Sequence, residues 1–258
     1  MRYSLFAGGK RLRPVLALAA SEAVGGDFET AIDAACALEC IHTYSLIHDD
    51  LPALDNDSLR RGRPTCHIVF GEAVAIMAGD ALLTAAFEIM SRAKKKDAAR
   101  ALKAIAEVAR AAGSTGMIGG QVVDIESEGK DVDFPVLEYI HIHKTGRLIL
   151  ASVRSGAIMS GADEAQLAAL TRYGEAAGLA FQIADDILDV EGSSDDLGKG
   201  TGGDAAKGKA TYPAVMGIDE SKKRAAELVE RAVLALDGFD AKAEPLRAIA
   251  RYIVARNK

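Results

Sequence analysis

Along almost the whole chain, apolar residues recur at intervals of three and four, and no stretch sustains the strict alternation of a half-buried strand. That periodicity leaves few folds open, because helices of this kind can bury their apolar faces only against other helices. Composition agrees: Ala, Leu, Glu, Lys and Arg abound, aromatic residues make up 5% and Trp is absent, a balance that favours helix over strand. The spacing predicts helices over 12–23, 29–50, 73–93, 97–113, 136–160, 164–190, 221–236 and 241–256, with Asp97 and Asp163 as plausible caps. Those near 29–50, 73–93, 136–160 and 164–190 are apolar nearly all round, as helices inside a bundle are. No linker or repeat divides the 258 residues, so one all-α domain over 1–258 is expected.

The formal net charge of -6 argues against nucleic acid or an anionic membrane as partner. Three cysteines, Cys36, Cys40 and Cys66, are too few for a disulfide framework, and no apolar signal opens the chain at MRYSLFAGGKRLRP, which fits the cytoplasm. Cys36 and Cys40 stand one helical turn apart and could pair with His42 or His67 on a metal, but thiols on an apolar helix more often pack. Asp80 interrupts AVAIMAGDALLTAAF, so no transmembrane segment is expected.

Three polar breaks interrupt the pattern: DLPALDNDSLRRGRPT, GGQVVDIESEGKDVDFP and EGSSDDLGKGTGGDAAKGKATYP, all punctuated by Gly or Pro. The third interleaves glycines with Lys199, Lys207 and Lys209, a composition suited to a cationic flap or to a solvated loop. Just before it, FQIADDILDVEG carries Asp185, Asp186 and Asp189, three or four apart in two pairings, and all three carboxylates are expected on one side of a helix. Like charges so placed repel, and Mg²⁺ held by oxygen ligands is the natural compensation, unless they mark a solvated helix end.

HDDLPALDNDSLRRGRP holds a matching cluster. Asp49 and Asp50 close a buried helix, Pro52 disfavours its continuation, and Asp55 rejoins them only if the chain turns back. A calcium loop is excluded, since DDLPALDNDSLR lacks both the central Gly and the terminal Glu. Two acidic clusters beside basic residues suggest metals holding a diphosphate between them, with arginines on its outer oxygens. GGKRLRP, with Lys10, Arg11 and Arg13 after Gly8 and Gly9 at a helix mouth, implies a second anion pocket. Apolar helices around such a site would suit a hydrocarbon.

GGKRLRP, ECIHTYSLIHDDLPALDNDSLRRGRPTCH, GGQVVDIESEG, HKTG, FQIADDILD and DLGKGTGGDAAKGKATYP, in that order, resemble the trans-polyprenyl diphosphate synthases, most closely the bacterial short-chain members that make farnesyl or geranylgeranyl diphosphate. The resemblance runs from residue 3 to the C-terminus. It implies a single-domain isoprenoid-synthase-type bundle of about ten helices around a central cavity, and a homodimer formed through long apolar helices. It also implies head-to-tail (1'-4) condensation of isopentenyl diphosphate with dimethylallyl or geranyl diphosphate, releasing pyrophosphate.

By that resemblance Mg²⁺, about three ions per active site, would bridge the allylic diphosphate to Asp49 and Asp55, with Asp50 supporting, and to Asp185, with Asp186 and Asp189 behind it. Arg60, Lys144, Lys199 and Lys209 would grip the same diphosphate. Isopentenyl diphosphate would bind Lys10, Arg13, His42 and Arg61. Thr145 and Gln182 would shield the allylic cation with oxygen dipoles. Tyr44, five residues before Asp49, would form the floor that stops elongation at farnesyl diphosphate, with small Ser45 unable to block. Two departures stand out: relatives usually have a helix before the GGKR motif, and Gly203 stands where many have lysine. A terpene cyclase would carry an Asn/Ser/Glu metal motif in place of FQIADDILD, and a non-catalytic subunit would have lost acidic residues that this chain keeps.

Overall fold

The computed structural model describes residues 1–92, 98–130, 132–191 and 210–255. Its regular structure is almost wholly helical, as the periodicity requires. The described helices are α1 (Arg2–Leu5), α2 (Leu12–Ala23), α3 (Phe28–Asp49), α4 (Cys66–Phe70), α5 (Glu72–Ser91), α6 (Ala98–Ala112), α7 (Met117–Ser127) and α8 (Phe134–Ile140). A π-helical turn (His141–Gly146) then leads into α9 (Arg147–Met159), α10 (Glu164–Glu191), α11 (Tyr212–Met216), α12 (Ile218–Leu234) and, after a 3₁₀ turn at Ala241–Ala243, α13 (Glu244–Ala255).

Local chemistry sets several boundaries. Asp27 caps α3 by accepting the Thr30 N–H at 2.9 Å. Before α10 the expected cap at Asp163 is half of a reciprocal pair: its Oδ1 accepts the Gln166 N–H at 2.8 Å, and Gln166 Oε1 accepts the Asp163 N–H at 3.0 Å. The other expected cap, Asp97, lies outside the described residues.

Helix α2 lies against α3 and α9, α3 against α5, and α9 against α6 and α10, while α10 is covered by α12 on its other side. Two apolar clusters follow from this layering. One joins α2, α9, α10, α12 and α13 through Leu16, Ile149, Tyr173, Leu228 and Leu246, and the other joins α3, α5, α6 and α9 through Leu38, Leu82, Val108 and Leu148. Burial of such side chains is the main stabilising contribution, at about 1.5–3 kcal/mol each. Polar bonds fix the crossings: Tyr173 Oη donates to Leu246 O at 2.8 Å, and Arg154 grips Glu107 of α6 with Nε and Nη2 at 2.8 and 2.9 Å.

Three expectations are corrected. The stretch 136–160 is not one helix but α8, the π-helical turn and α9. GGQVVDIES is not a break but helix α7. An antiparallel hairpin, β1 (Leu59–Arg60) with β2 (Arg63–Pro64), sits within the first polar break, its two-residue turn formed by Arg61 and Gly62 at φ 53° and 71°. Separately, α5 is by length and composition apolar enough to cross a membrane, with a mean hydropathy of 1.7 over 18 residues despite Asp80, and its Ala75, Ala78, Leu82, Ala86 and Met90 are buried in the protein, as in a core helix.

Candidate active site

Helix α3 delivers the first acidic cluster. After Asp49 the chain turns, and the Asp55 N–H donates back to Asp49 O at 2.8 Å while Asn56 N–H reaches Leu51 O at 3.1 Å with φ 52°. The return that the Pro52 break demanded is therefore built from backbone bonds, and it brings Asp55 beside Asp49. Burial pushes the Asp49 carboxyl up, with Asp55 and Asp50 pushing the same way while Lys144 and Arg60 pull against them. Asp50 faces inward, buried, and accepts from Arg60 Nε at 2.7 Å and Nη2 at 2.6 Å, with Asp57 3.8 Å from the same guanidinium. Arg60, expected on the allylic diphosphate, is thus oriented by two carboxylates of its own loop.

The hairpin turns Arg61 toward the N-terminal segment instead. Its Nη1 donates to Gly8 O, and a Cβ at Gly9 (φ 109°) would stand 2.5 Å from the Arg61 Cζ, so glycine is required for this approach. Arg13 lies close by with Nε buried and without a partner among the described residues. Burial lowers its pKa to about 10, while Glu39 and Asp185 raise it, so it is a charged, incompletely paired cation at neutral pH. His42 sits among Arg13, Arg61, Arg60 and Arg11, and burial first, then those charges, hold its pKa well below the ordinary value. A neutral imidazole and two guanidiniums suit a diphosphate. Arg11 is committed elsewhere, to Glu39 and to Leu5 O at 2.6 Å. Lys10 is exposed and also lines a cavity of about 300 Å³ with Leu12, Val15, Phe181, Ile249 and Tyr252.

Helix α10 carries the second cluster, and here the expectation that three carboxylates share one side is corrected. Asp185 and Asp189 are partly exposed, and the Asp185 charge reaches Arg13. Asp186 is buried at 2% exposure and accepts from Gln182 Nε2 at 3.1 Å, His141 Nε2 at 2.8 Å and Tyr212 N–H at 2.9 Å. Consecutive helical residues point about 100° apart, so Asp185 and Asp186 cannot face the same way.

Between the clusters stands the π-helical turn. Lys144 Nζ donates to Asp124 Oδ2 of α7 at 2.6 Å, and Thr145 Oγ1 donates to Gln182 Oε1 at 2.8 Å. All four line one polar cavity with His141, Asp186 and Thr211. Sequence reasoning named Lys144, Thr145 and Gln182 but missed Asp124 and His141; the signal for Asp124 was there, a carboxylate in GGQVVDIES once that stretch is read as helix. Lys199 and Lys209 lie outside the described residues. Tyr44 is 5% exposed, its Oη lacks a partner among the described residues, and its ring meets His48 edge-on at 5.8 Å. Ser45 Oγ turns back onto His42 O at 3.0 Å. Cys40 and Cys66 are buried free thiols, and no metal-holding group of three or more His, Cys, Asp or Glu occurs among the described residues.

The donors nevertheless fit Mg²⁺. They are carboxylate oxygens from α10 and from the end of α3 with the turn after it, and at Asp49 burial first and then the neighbouring Asp55 and Asp50 raise the pKa, a cost that a cation would offset; Mg²⁺ is commonly held by one or two carboxylates plus substrate phosphates and water rather than by an all-protein cage. Such a site beside a separate arginine pocket, inside an all-α bundle, defines a helical enzyme acting on diphosphates. A family model of the polyprenyl synthetases matches residues 1–244, and the chain belongs to that family. The geranylgeranyl diphosphate synthase of Cyanophora paradoxa is 54% identical over 259 residues, covering 100% of this chain and 86% of that protein. Among solved structures, an FPP/GFPP synthase from Zymomonas mobilis is 41% identical at TM-score 0.88, covering 98% of this chain and 86% of that one. A geranyltransferase from Helicobacter pylori, crystallised with magnesium and isoprenyl diphosphate, is 33% identical at TM-score 0.86, covering 98% and 85%.

Proposed function

We propose that the protein condenses isopentenyl diphosphate head to tail (1'-4) with dimethylallyl and then geranyl diphosphate, giving farnesyl diphosphate and pyrophosphate. The observation that carries the product is Tyr44, a buried ring one helical stretch below Asp49, about 7.5 Å along the axis at 1.5 Å per residue. An aromatic floor at that depth stops elongation early. A second reading, geranylgeranyl diphosphate, is favoured by the relative from Cyanophora paradoxa, which bears that name.

Asp49, Asp55 and Asp185 would hold Mg²⁺, which when bound supplies positive charge to the diphosphate leaving group. Lys144, oriented by Asp124, places a further cation there and stabilises the departing pyrophosphate. Thr145 has its hydroxyl hydrogen committed to Gln182, so its lone pairs are left for the allylic cation. Arg13, His42 and Arg61 bind isopentenyl diphosphate and orient its double bond toward that cation. Pyrophosphate takes the proton lost after the carbon–carbon bond forms, and no covalent enzyme intermediate is needed.

Exposed Ile68, Val69 and Phe70 on α4 and Val74 and Met77 on α5 form an apolar face that supports a homodimer. The cytoplasm is the compartment we propose, on the few free thiols. The test is the chain length of products formed by the purified protein from dimethylallyl, geranyl and farnesyl diphosphates, for the parent and for Tyr44→Ala. Farnesyl diphosphate from the parent and a longer product from the variant are expected. An unchanged product distribution in active Tyr44→Ala removes the floor and leaves the geranylgeranyl reading.

A further inference from the structure

We propose that Asp186 is a positioning residue and not a metal ligand: its carboxylate locks the Gln182 amide and the re-entering chain at Tyr212, so that Gln182 and Thr145 present oxygen to the reacting carbons. The proposal rests on the condensation reading above.

The carboxylate is held by three donors from three separate elements. Oδ1 accepts from Gln182 Nε2 at 3.1 Å, one turn back on α10. Oδ2 accepts from His141 Nε2 at 2.8 Å, on the π-helical turn, and from Tyr212 N–H at 2.9 Å, the first residue of α11. An ionised carboxylate accepts and never donates, so it dictates the orientation of each partner. The NH₂ of Gln182 must face Asp186, and its Oε1 must therefore face Thr145, which donates to it at 2.8 Å. Thr145 has a single hydroxyl hydrogen, and with it spent on Gln182 Oε1 the hydroxyl offers only lone pairs to the cavity that both residues line.

Three of the carboxylate's roughly four acceptor sites are already taken, and turning the buried side chain toward a metal would break at least one of those bonds. At 2% exposure the freed N–H would have no water to replace the lost acceptor, a cost of about 1–3 kcal/mol. Asp185, one residue earlier and partly exposed, has no such constraint from burial. The adjacent acids thus divide the work, Asp185 facing the substrates and Asp186 setting the geometry behind them. Asp186→Asn would introduce a donor into a ring of donors, and either Gln182 turns its amide or Tyr212 N–H loses its partner.

The experiment compares Asp185→Asn, Asp186→Asn, Gln182→Met and the Gln182→Met/Asp186→Asn double variant. Mn²⁺ binding in the presence of pyrophosphate, followed by electron paramagnetic resonance, reports ligation without turnover. It should weaken by at least about tenfold in Asp185→Asn and stay within about twofold in Asp186→Asn. Steady-state kinetics should show kcat of Asp186→Asn falling by about 10²-fold with both KM values nearly unchanged. Because Asp186 acts through Gln182, adding Asp186→Asn to Gln182→Met should cost less than about threefold more. Loss of Mn²⁺ affinity in Asp186→Asn equal to that in Asp185→Asn overturns the proposal, and so does full additivity in the double variant. The wild-type enzyme provides a check free of folding effects. Tyr212 amide exchange should be no faster with Mg²⁺ and pyrophosphate than without, whereas acceleration would mean that Asp186 has left it for a metal. A wild-type protein that releases no pyrophosphate from its substrates would fail the condensation reading itself, a result separate from every arm above.

Discussion

Gly120→Ala puts a single methyl group where α7 crosses the π-helical turn. A Cβ there would stand 2.8 Å from both His143 C and Lys144 Cα and closer still to Lys144 N, all backbone atoms, so no rotamer change relieves it. Ordinary contact begins near 3.4 Å, and the turn must back away by roughly 1 Å. Lys144 Nζ now sits 2.6 Å from Asp124 Oδ2, and Thr145 Oγ1 2.8 Å from Gln182 Oε1, so a displacement of that size carries both out of hydrogen-bond range. Overpacking costs about 1–3 kcal/mol, and alanine returns about 0.5–1 kcal/mol of helix preference. The net loss is small beside a typical stability of about 5–15 kcal/mol, and the variant should fold. Turnover should nevertheless fall about 10²-fold, as about 1 Å of misplacement can cause. Pyrophosphate release measured beside circular-dichroism melting separates the two effects. Gly156→Ala is the control: its Cβ would meet Ala17 C at 2.7 Å, where α9 crosses α2, and it should lower the melting temperature while leaving kcat intact. A folded Gly120→Ala enzyme with kcat within about threefold of the parent would refute the reasoning.

Asp49→Ala or Asp185→Ala should each lower turnover by at least about 10²-fold with the fold retained on melting, and near-parental turnover in either would remove it from the metal set. Arg13→Ala should raise KM for isopentenyl diphosphate more than KM for the allylic partner, because the buried Arg13 cation stands with His42 and Arg61 in the pocket proposed for isopentenyl diphosphate; equal rises would mean the two pockets are wrongly divided. His42 binds a proton less readily folded than unfolded, so its contribution to stability is intact above about pH 6.5 and is lost as pH falls toward the folded value. Denaturant unfolding at about pH 7.5 and about pH 5.5 should therefore show a smaller acid loss for His42→Gln than for the parent, and an equal loss would show that His42 is not the group responsible.

Long helices were legible because their apolar stripes run unbroken: α2 spans Leu12–Ala23, matching the expected 12–23. Helix α7 was not, since Gly119 and Gly120 read locally as a break, whereas the preceding turn at Ser114 O and tertiary contact with the Lys144 backbone are what demand glycine there. The π-helical turn was hidden because its single extra residue per turn barely disturbs a three-and-four spacing. The hairpin at Leu59–Pro64 is too short for alternation to register. At the site, the return of Asp55 was legible from Pro52 and the spacing of acids. The inward turn of Asp186 was not, because adjacent aspartates look alike until the partners His141 and Tyr212, 45 and 26 residues away, arrive.

The bond from Asp55 N–H to Asp49 O makes the distance between two carboxylates a matter of counting residues. Pro52, Ala53 and Leu54, which lie between them, are exposed. The identities of Ala53 and Leu54 are therefore free to drift while Pro52 ends the helix, and the number of residues is not free. Inserting or deleting one residue would rotate the second carboxylate away from the first without disturbing any core side chain, leaving a stable protein that had lost its grip on the leaving group. In this loop heredity can change the letters at small cost, but the length of the word is locked.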